Sequence, residues 1–291
     1  MSTAVPAPLR DLIGVDGGLL LPGVANALTA RIAEDLGFRA VYITGAGVAN
    51  TFLGLPDIGL LSLTEMAAHV GAISDAVDVP VIVDADTGFG NAISVVRTVR
   101  LLEKAGACGI QLEDQVAPKR CGHFEGQKVI PSAEMRQKIR AATESRRSEN
   151  TLIIARTDAR AEHGLSEALD RAAAYAEAGA DVLFIEGLRS RDELAEAGAA
   201  LPGVPKLANM VEGGKTPLLA REDLLAMGYS ILLYANAAMQ GAIHGAQKVL
   251  AGLRDAGSLG PVLDDLTPWH ERQRLVRRDD FNDLDKRYQA E

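Results

Sequence analysis

The chain has 291 residues, and 30 Lys and Arg against 39 Asp and Glu leave a formal charge of −9. That acidic balance argues against nucleic acid or an anionic membrane as partner, because both need a basic face. With 47% hydrophobic and 24% charged residues the chain has the composition of a globular protein with a large core, which excludes disorder as its main state. Two cysteines, Cys108 and Cys121, make no disulfide framework and suit a reducing compartment. Met1 to Arg10 lacks the apolar centre of a signal peptide, and no uncharged apolar run reaches the ~18 residues of a membrane span. A cytoplasmic protein is expected.

From Leu19 onward short apolar runs alternate with helical patterns, punctuated by Gly, Pro or Asp. Eight strands are predicted: Leu19 to Leu21, Ala40 to Thr44, Val79 to Val83, Gly109 to Leu112, Leu152 to Ala155, Val182 to Ile185, Lys206 to Ala208 and Ile231 to Tyr234. Amphipathic helices fall between them, among them Ile93 to Ala105, Ser166 to Ala178 and Arg191 to Leu201. Gly106 and Gly179 read as helix C-caps. Eight βα units without an early GxGxxG favour a closed (β/α)8 barrel of the TIM type over an open doubly wound sheet. The expected division is a catalytic barrel over residues 1–255 and a helical tail over 256–291. From Trp269 the tail is strongly charged with a few large apolar residues, the profile of a surface helix that packs on its own barrel or on a partner.

In a parallel barrel, function collects just past the C-terminal ends of the strands. Asp84-Ala85-Asp86 follows the third strand, Glu113-Asp114 the fourth, Arg156 the fifth, Glu186 the sixth and Asn209 the seventh. A single carboxylate there is commonly a helix cap or a solvated loop residue. Several are a different matter: Asp84, Asp86 and Glu113, with Asp57 from the Leu55-Pro56-Asp57 turn, repel one another unless a cation sits among them. Carboxylate oxygens without His or Cys suit Mg2+ or Mn2+. Thr44-Gly45-Ala46-Gly47 is a small-residue turn whose N–H groups can cradle a carboxylate, although such turns are also common for steric reasons alone.

The long segment between Asp114 and Ser132 carries Lys119-Arg120-Cys121-Gly122-His123, and loops of that length in a compact domain are usually functional. Cys108, just before Gly109, reads as a small buried hydrophobe. Cys121 has Lys119, Arg120 and His123 beside it, an environment expected to lower its thiol pKa and let it exchange protons near neutral pH. His69, His163, His244 and His270 lie on helical or surface stretches and are assigned no chemistry.

Together, the runs from Asp84 to Gly90, Glu113 to Gln115, Lys119 to His123 and Ala155 to Asp158 resemble those of the isocitrate lyase and phosphoenolpyruvate mutase superfamily. The resemblance extends from about Leu19 to Leu253, and the Lys-Arg-Cys-Gly-His pentapeptide points to its lyase branch. It implies a Mg2+-dependent barrel, typically a homotetramer, in which a C-terminal helix is exchanged between subunits. Asp86 is expected to hold Mg2+ most directly, with Asp57, Asp84 and Glu113 acting through waters. Thr44, Gly45 and Ala46 are expected to bind the carboxylate of a 2-oxo acid, Arg156 to pair with a substrate carboxylate, and Glu186 and Asn209 to complete the pocket. Such lyases cleave the C2–C3 bond of a 2-hydroxy acid, with Cys121 meeting the carbanion at C3. Tyr42 or a metal-bound water is the candidate base for the hydroxyl proton.

Two places depart from the 2-methylisocitrate lyases. After the seventh strand those enzymes have Asn-Ile-Thr-Glu-Phe-Gly; here Asn209-Met210-Val211-Glu212-Gly213 puts a valine where they have a hydroxyl. This resembles 2,3-dimethylmalate and alkylmalate lyases, the plant petal-death type and carboxyphosphonoenolpyruvate mutases. Tyr234-Ala235-Asn236-Ala237 replaces the common Tyr-Pro-x-Ser. The expected partners are small 2-hydroxy or 2-oxo carboxylic acids. 2-Methylisocitrate lyase, oxaloacetate hydrolase and a phosphonate-forming mutase are the rival activities, and a dicarboxylate-binding barrel without turnover is the reading from another class.

Overall fold

The computed structural model describes residues 7–14, 17–122 and 126–289. Eight parallel strands close into a barrel in sequence order: β1 (Leu19–Val24), β2 (Val41–Ile43), β3 (Val81–Asp84), β4 (Ala107–Glu113), β5 (Leu152–Thr157), β6 (Val182–Ile185), β7 (Lys206–Asn209) and β8 (Ile231–Tyr234). Closure is made by β8 on β1, with Leu19 opposite Ile231 and Pro22 opposite Tyr234. Every predicted strand is present, most within two residues of its expected ends.

Around and beyond the barrel run α1 (Leu9–Ile13), α2 (Ala27–Asp35), α3 (Gly45–Val48), α4 (Leu63–Ser74), α5 (Ala92–Lys104), α6 (Ser132–Ser145), α7 (Ala159–His163), α8 (Leu165–Glu177), α9 (Arg191–Ala199), α10 (Arg221–Ala226), α11 (Ala237–Ala256), α12 (Trp269–Leu275) and α13 (Arg278–Tyr288). Their starts follow from local chemistry: Asn26, Ser62, Asn91 and Ser190 each accept an N–H of the first turn, and Ser62 with Glu65 completes a capping box. Gly106 and Gly179, both with φ near +105°, follow α5 and α8 and let the chain turn into the next strand.

Alternation along the strands divides the core in two. Leu19, Leu21, Tyr42, Ile82, Ile154, Phe184, Leu207, Ile231 and Leu233 fill the barrel, and Leu9 and Ile13 of α1 plug its N-terminal mouth. Val41, Ile43, Val81, Val83, Ile110 and Ile153 point outward to meet Met66, Val70, Val99 and Ile139 of the helices. The N-terminal mouth is chemically spent. Arg10 and Arg146 both pair with Asp181, and Lys206 Nζ is held by the carbonyls of Ala200, Leu201 and Val204. Cys108 packs half-buried at that end against the barrel core, as expected of a small hydrophobe.

The tail lies partly on its own barrel, where Arg274 of α12 grips Asp35 of α2 through two hydrogen bonds of 2.7 and 2.6 Å. Much of its apolar surface stays uncovered. The 20 residues of α11 include none that is buried, and Ile243, Leu250, Trp269 and Phe281 are all exposed. Among the described residues no helix is long and apolar enough to cross a membrane.

Candidate active site

One cavity at the C-terminal mouth of the barrel gathers residues from strands far apart in sequence. Tyr42, Thr44, Ala46, Asp57, Asp84, Lys119, Cys121, Gly122, Arg156, Phe184, Glu186, Asn209, Val211, Leu233, Ala235 and Asn236 all line it. Asp86, Glu113 and Gly45 stand directly behind this lining: a Cβ on Gly45 would lie 3.1 Å from Asp84 Oδ2 and 3.3 Å from Asp86 Oδ1. A side chain there would press on both carboxylates, and they would have to give by a few tenths of an ångström.

The turn after β3 is built to hold Asp86 in place. Asp86 itself adopts φ +49°, a left-handed conformation that costs a non-glycine residue energy and is typically kept for function. Its N–H donates to Asp84 Oδ1 at 3.1 Å, and the same oxygen accepts from Gln111 Nε2 at 3.1 Å. Lys138 of α6 donates to the Thr87 carbonyl at 3.1 Å and Thr98 to that of Gly88 at 3.0 Å, tying the turn to the helix layer.

Electrostatically the acids are crowded and dry. Burial, with Asp84 and Asp57 adding repulsion against the pull of Lys119, pushes Asp86 up to about 7. Burial also pushes Glu113 well above the usual carboxylate range, and its Oε1 has no hydrogen-bond partner in the protein. Among the described residues, no three Asp, Glu, His or Cys side chains form a ready-made metal cage. Mg2+ does not need one, since it keeps several waters and takes one or two carboxylates directly. The desolvated carboxyls of Asp84 and Asp86, both against Gly45, and the unpartnered Oε1 of Glu113 fit such a hydrated divalent ion.

Lys119 is drawn into the acidic cluster: its buried ammonium stands 2.5 Å from Asp57 Oδ1 and 2.8 Å from Asp86 Oδ1, the second contact without hydrogen-bond geometry. Opposite charge decides this: the acids offer an ammonium far more than a neutral thiol does. Arg120 is exposed, and its main chain is clasped by Gln115, whose amide accepts from Arg120 N–H at 2.9 Å and donates to Arg120 carbonyl at 2.8 Å. Lys119 and Cys121 nevertheless line the same cavity. His123 lies outside the described residues.

The loop is nonetheless laid over the pocket. Cys121 N–H donates to the Asp57 carbonyl at 3.1 Å, and Gln127 Nε2 donates to the carbonyls of Cys121 and Gly122, both at 2.9 Å. Gly122 packs so tightly that a Cβ there would collide with Arg156 Nη2 and Glu186 Cγ. Gln115, which falls within one of the motif runs, and Gln127 were assigned no role from the sequence, because a loop glutamine carries no signal until its partners are known.

Arg156 is more committed than expected. Asp158 takes its Nε at 3.0 Å and its Nη2 at 2.8 Å, Glu113 Oε2 lies 3.5 Å from Nε, and the Phe184 ring lies 5.2 Å beneath. Its Nη1, 3.8 Å from Glu186 Oε2, is the side left for a ligand. Behind it, buried Asp114 accepts from Thr157 Oγ1, Asp158 N–H, Arg171 Nη1 and Tyr175 OH at 2.7 to 3.1 Å, anchoring the Arg156–Asp158 pair to α8. Glu186 accepts from Gly187 N–H at 2.9 Å and from Asn209 Nδ2 at 3.1 Å.

Tyr42 is poorly suited to be the base. Its hydroxyl donates to Gln111 Oε1 at 2.6 Å, and burial together with the Asp84 charge raises its pKa well above 10. A phenol so placed keeps its proton. Thr44 Oγ1 accepts from Gly47 N–H at 3.3 Å, so the small-residue turn is the capped first turn of α3.

Comparison with known proteins agrees with this architecture. A family model described as phosphoenolpyruvate phosphomutase matches residues 9–254. The chain is 44% identical to a 2,3-dimethylmalate lyase of Eubacterium barkeri over 99% of both chains. It is 43% identical to a 2-methylisocitrate lyase of Aeropyrum pernix, over 95% of this chain and 89% of that one. Among solved structures, oxaloacetate acetylhydrolase in complex with 3,3-difluorooxalacetate superposes with a TM-score of 0.90 at 38% identity, covering 96% of this chain and 95% of that one. Phosphonopyruvate hydrolase complexed with oxalate and Mg2+ does so with a TM-score of 0.87 at 31% identity, covering 97% and 98%. By its barrel, its site and these relatives, the chain belongs to the phosphoenolpyruvate mutase and isocitrate lyase superfamily of enzymes.

Proposed function

We propose that this protein is a Mg2+-dependent carbon–carbon lyase that cleaves the C2–C3 bond of an alkyl-substituted malate, 2,3-dimethylmalate or a 2-alkylmalate. The products are a 2-oxo acid such as pyruvate and a carboxylic acid. One observation carries the reading: the thiol-bearing Cys121 and the apolar Val211 line the same cavity as Arg156 and Glu186. Similarity to a 2,3-dimethylmalate lyase over nearly the whole chain supports it.

Asp86 would hold Mg2+ directly, with Asp57, Asp84 and Glu113 reaching it through water, and Mn2+ can substitute. When bound, the ion supplies a Lewis acid for the oxygens of the oxo-acid product. The other steps belong to the chain. The Thr44 hydroxyl and the N–H groups of Gly45 and Ala46 receive the carboxylate next to C2, the Tyr42 phenol, held by Gln111, walls the pocket, and Arg156 Nη1 steadies a substrate carboxylate. As the C2–C3 bond breaks, its electron pair passes to C3 and the carboxylate attached there, and the C2 hydroxyl becomes the oxo group by giving its proton to a water in the pocket, from which solvent exchange returns one to the Cys121 thiolate. Cys121 Sγ delivers a proton to C3. Lys119, Arg120 and His123 form the loop that carries the thiol over the substrate. A proton-donating thiol over an acidic pocket has no purpose in a binding protein without turnover.

A cytoplasmic homotetramer, with the segment after residue 255 reaching a neighbouring subunit, is part of the same proposal. The principal rival is 2-methylisocitrate lyase, favoured by the second relative. A product assay for pyruvate, glyoxylate and oxalate over a panel of 2-hydroxy and 2-oxo acids tests the proposal. Pyruvate release from an alkylmalate, abolished by chelation, is expected; no release from any alkylmalate rejects it.

A further inference from the structure

Among the described residues five buried side-chain polar atoms lack a hydrogen bond, and four of them belong to this site: Asp86 Oδ1, Glu113 Oε1, Asn209 Oδ1 and Asn236 Oδ1. The two carboxylates face the metal side. The amide of Asn209 is oriented by Glu186, which accepts its Nδ2. Asn236 is different. It lies two residues past the end of β8 and lines the cavity, and its Oδ1 is buried with no hydrogen-bond partner in the protein. It also occupies the N-cap of α11, where an asparagine normally accepts an N–H of the first turn, yet it makes no such bond. The helix does not explain this residue type; the cavity does.

We infer that Asn236 is a specificity-determining residue whose amide recognises the carboxylate on C3 of the substrate, an inference that rests on the alkylmalate reading above. Carboxylates only accept hydrogen bonds, so the pocket must provide donors. Asp57, Asp84, Asp86, Glu113 and Glu186 repel an anion, and two of the nitrogens of Arg156 are held by Asp158. The β8 side has no acid: its lining is Val211, Leu233, Ala235 and Asn236. The amide NH2 of Asn236 is a donor that a carboxylate can accept from, and since its Oδ1 has no partner in the protein, turning the amide over costs no hydrogen bond at that oxygen. The C3 carboxylate then rests on Asn236 and the C3 alkyl group on Val211 and Leu233. The positive end of the long helix α11 adds a favourable field for that anion.

Calorimetric titration in Mg2+ with two probes tests this on the full-length protein. Oxalate resembles only the C1–C2 half of the substrate, whereas 2,3-dimethylsuccinate carries both carboxylates and, lacking the hydroxyl, cannot be cleaved. Asn236→Asp keeps the shape but replaces the donor with a charge. It is expected to weaken dimethylsuccinate by about tenfold or more while changing oxalate by less than about threefold, with an unaltered melting temperature. Asn236→Ser, which retains a donor, should restore part of the loss. Equal weakening of both probes, no effect on dimethylsuccinate, or failure of the wild type to bind it overturns the inference. If the split is found but no alkylmalate is cleaved, the activity reading falls and the role of Asn236 stands.

Discussion

Lys119 and Asp86 form a buried contact of 2.8 Å in the middle of the acidic cluster, so the protein supplies a cation of its own where its carboxylates converge. Even beside that ammonium, burial leaves Asp86 at about 7. The folded protein therefore binds a proton there more tightly than the unfolded chain does. In metal-free protein the Asp86 contribution favours folding in its protonated form and is lost as pH rises through about 7. Melting temperature measured in chelator from pH 5 to pH 8 should carry a downward component that Asp86→Asn lacks. Mg2+ affinity of the wild type should rise over the same interval, because the ion displaces that proton.

Replacing Cys121 by serine keeps the shape and removes most of the acidity. Turnover should fall by a factor on the order of 10² or more with KM little changed. Cys108→Ser, at the far end of the barrel, should lower the melting temperature and leave kcat alone. Equal losses of kcat in the two variants would remove the thiol from the chemistry.

Gly122 has no room for a side chain against Arg156 and Glu186. Gly122→Ala should lift the loop and lower kcat/KM by at least about tenfold, with a melting temperature close to wild type, since the loop adds little to the core. Steady-state kinetics beside a thermal melt separates these effects.

Val211 lines the cavity with an apolar side chain; on the proposed alkylmalate reading it would wall an alkyl group, each buried CH2 contributing about 0.8 kcal/mol, and would offer nothing to the third carboxylate of 2-methylisocitrate. Stranding that charge costs several kcal/mol. Alkylmalates should exceed 2-methylisocitrate in kcat/KM by at least about an order of magnitude. Val211→Thr should narrow the gap. Faster cleavage of 2-methylisocitrate than of every dicarboxylate would transfer the assignment to the rival activity.

The uncovered faces of α11 and the tail call for a partner surface. Truncation before Trp269 should change the number of subunits per particle found by light scattering; an unchanged number argues that the tail serves its own barrel, where Arg274 holds Asp35.

The sequence by itself determined the barrel and the side of it that works. Strand and helix periodicities are local, glycine punctuation is local, and in a parallel barrel the residue after each strand is placed by chain direction. Asp84, Asp86, Glu113, Arg156, Glu186 and Asn209 were therefore legible before any coordinates. Tertiary structure decided how those groups spend their charges and hydrogen bonds. Lys119 reaches back 62 residues to Asp57, Arg156 is claimed by Asp158, and Asp158 is held by Asp114, which Arg171 and Tyr175 of α8 fix in turn. The same packing shows the Tyr42 phenol bonded to Gln111 and the Asn236 Oδ1 without a partner. Such pairings depend on distances across the barrel mouth, and burial multiplies their energies by removing water, so neither spacing nor residue type reveals them.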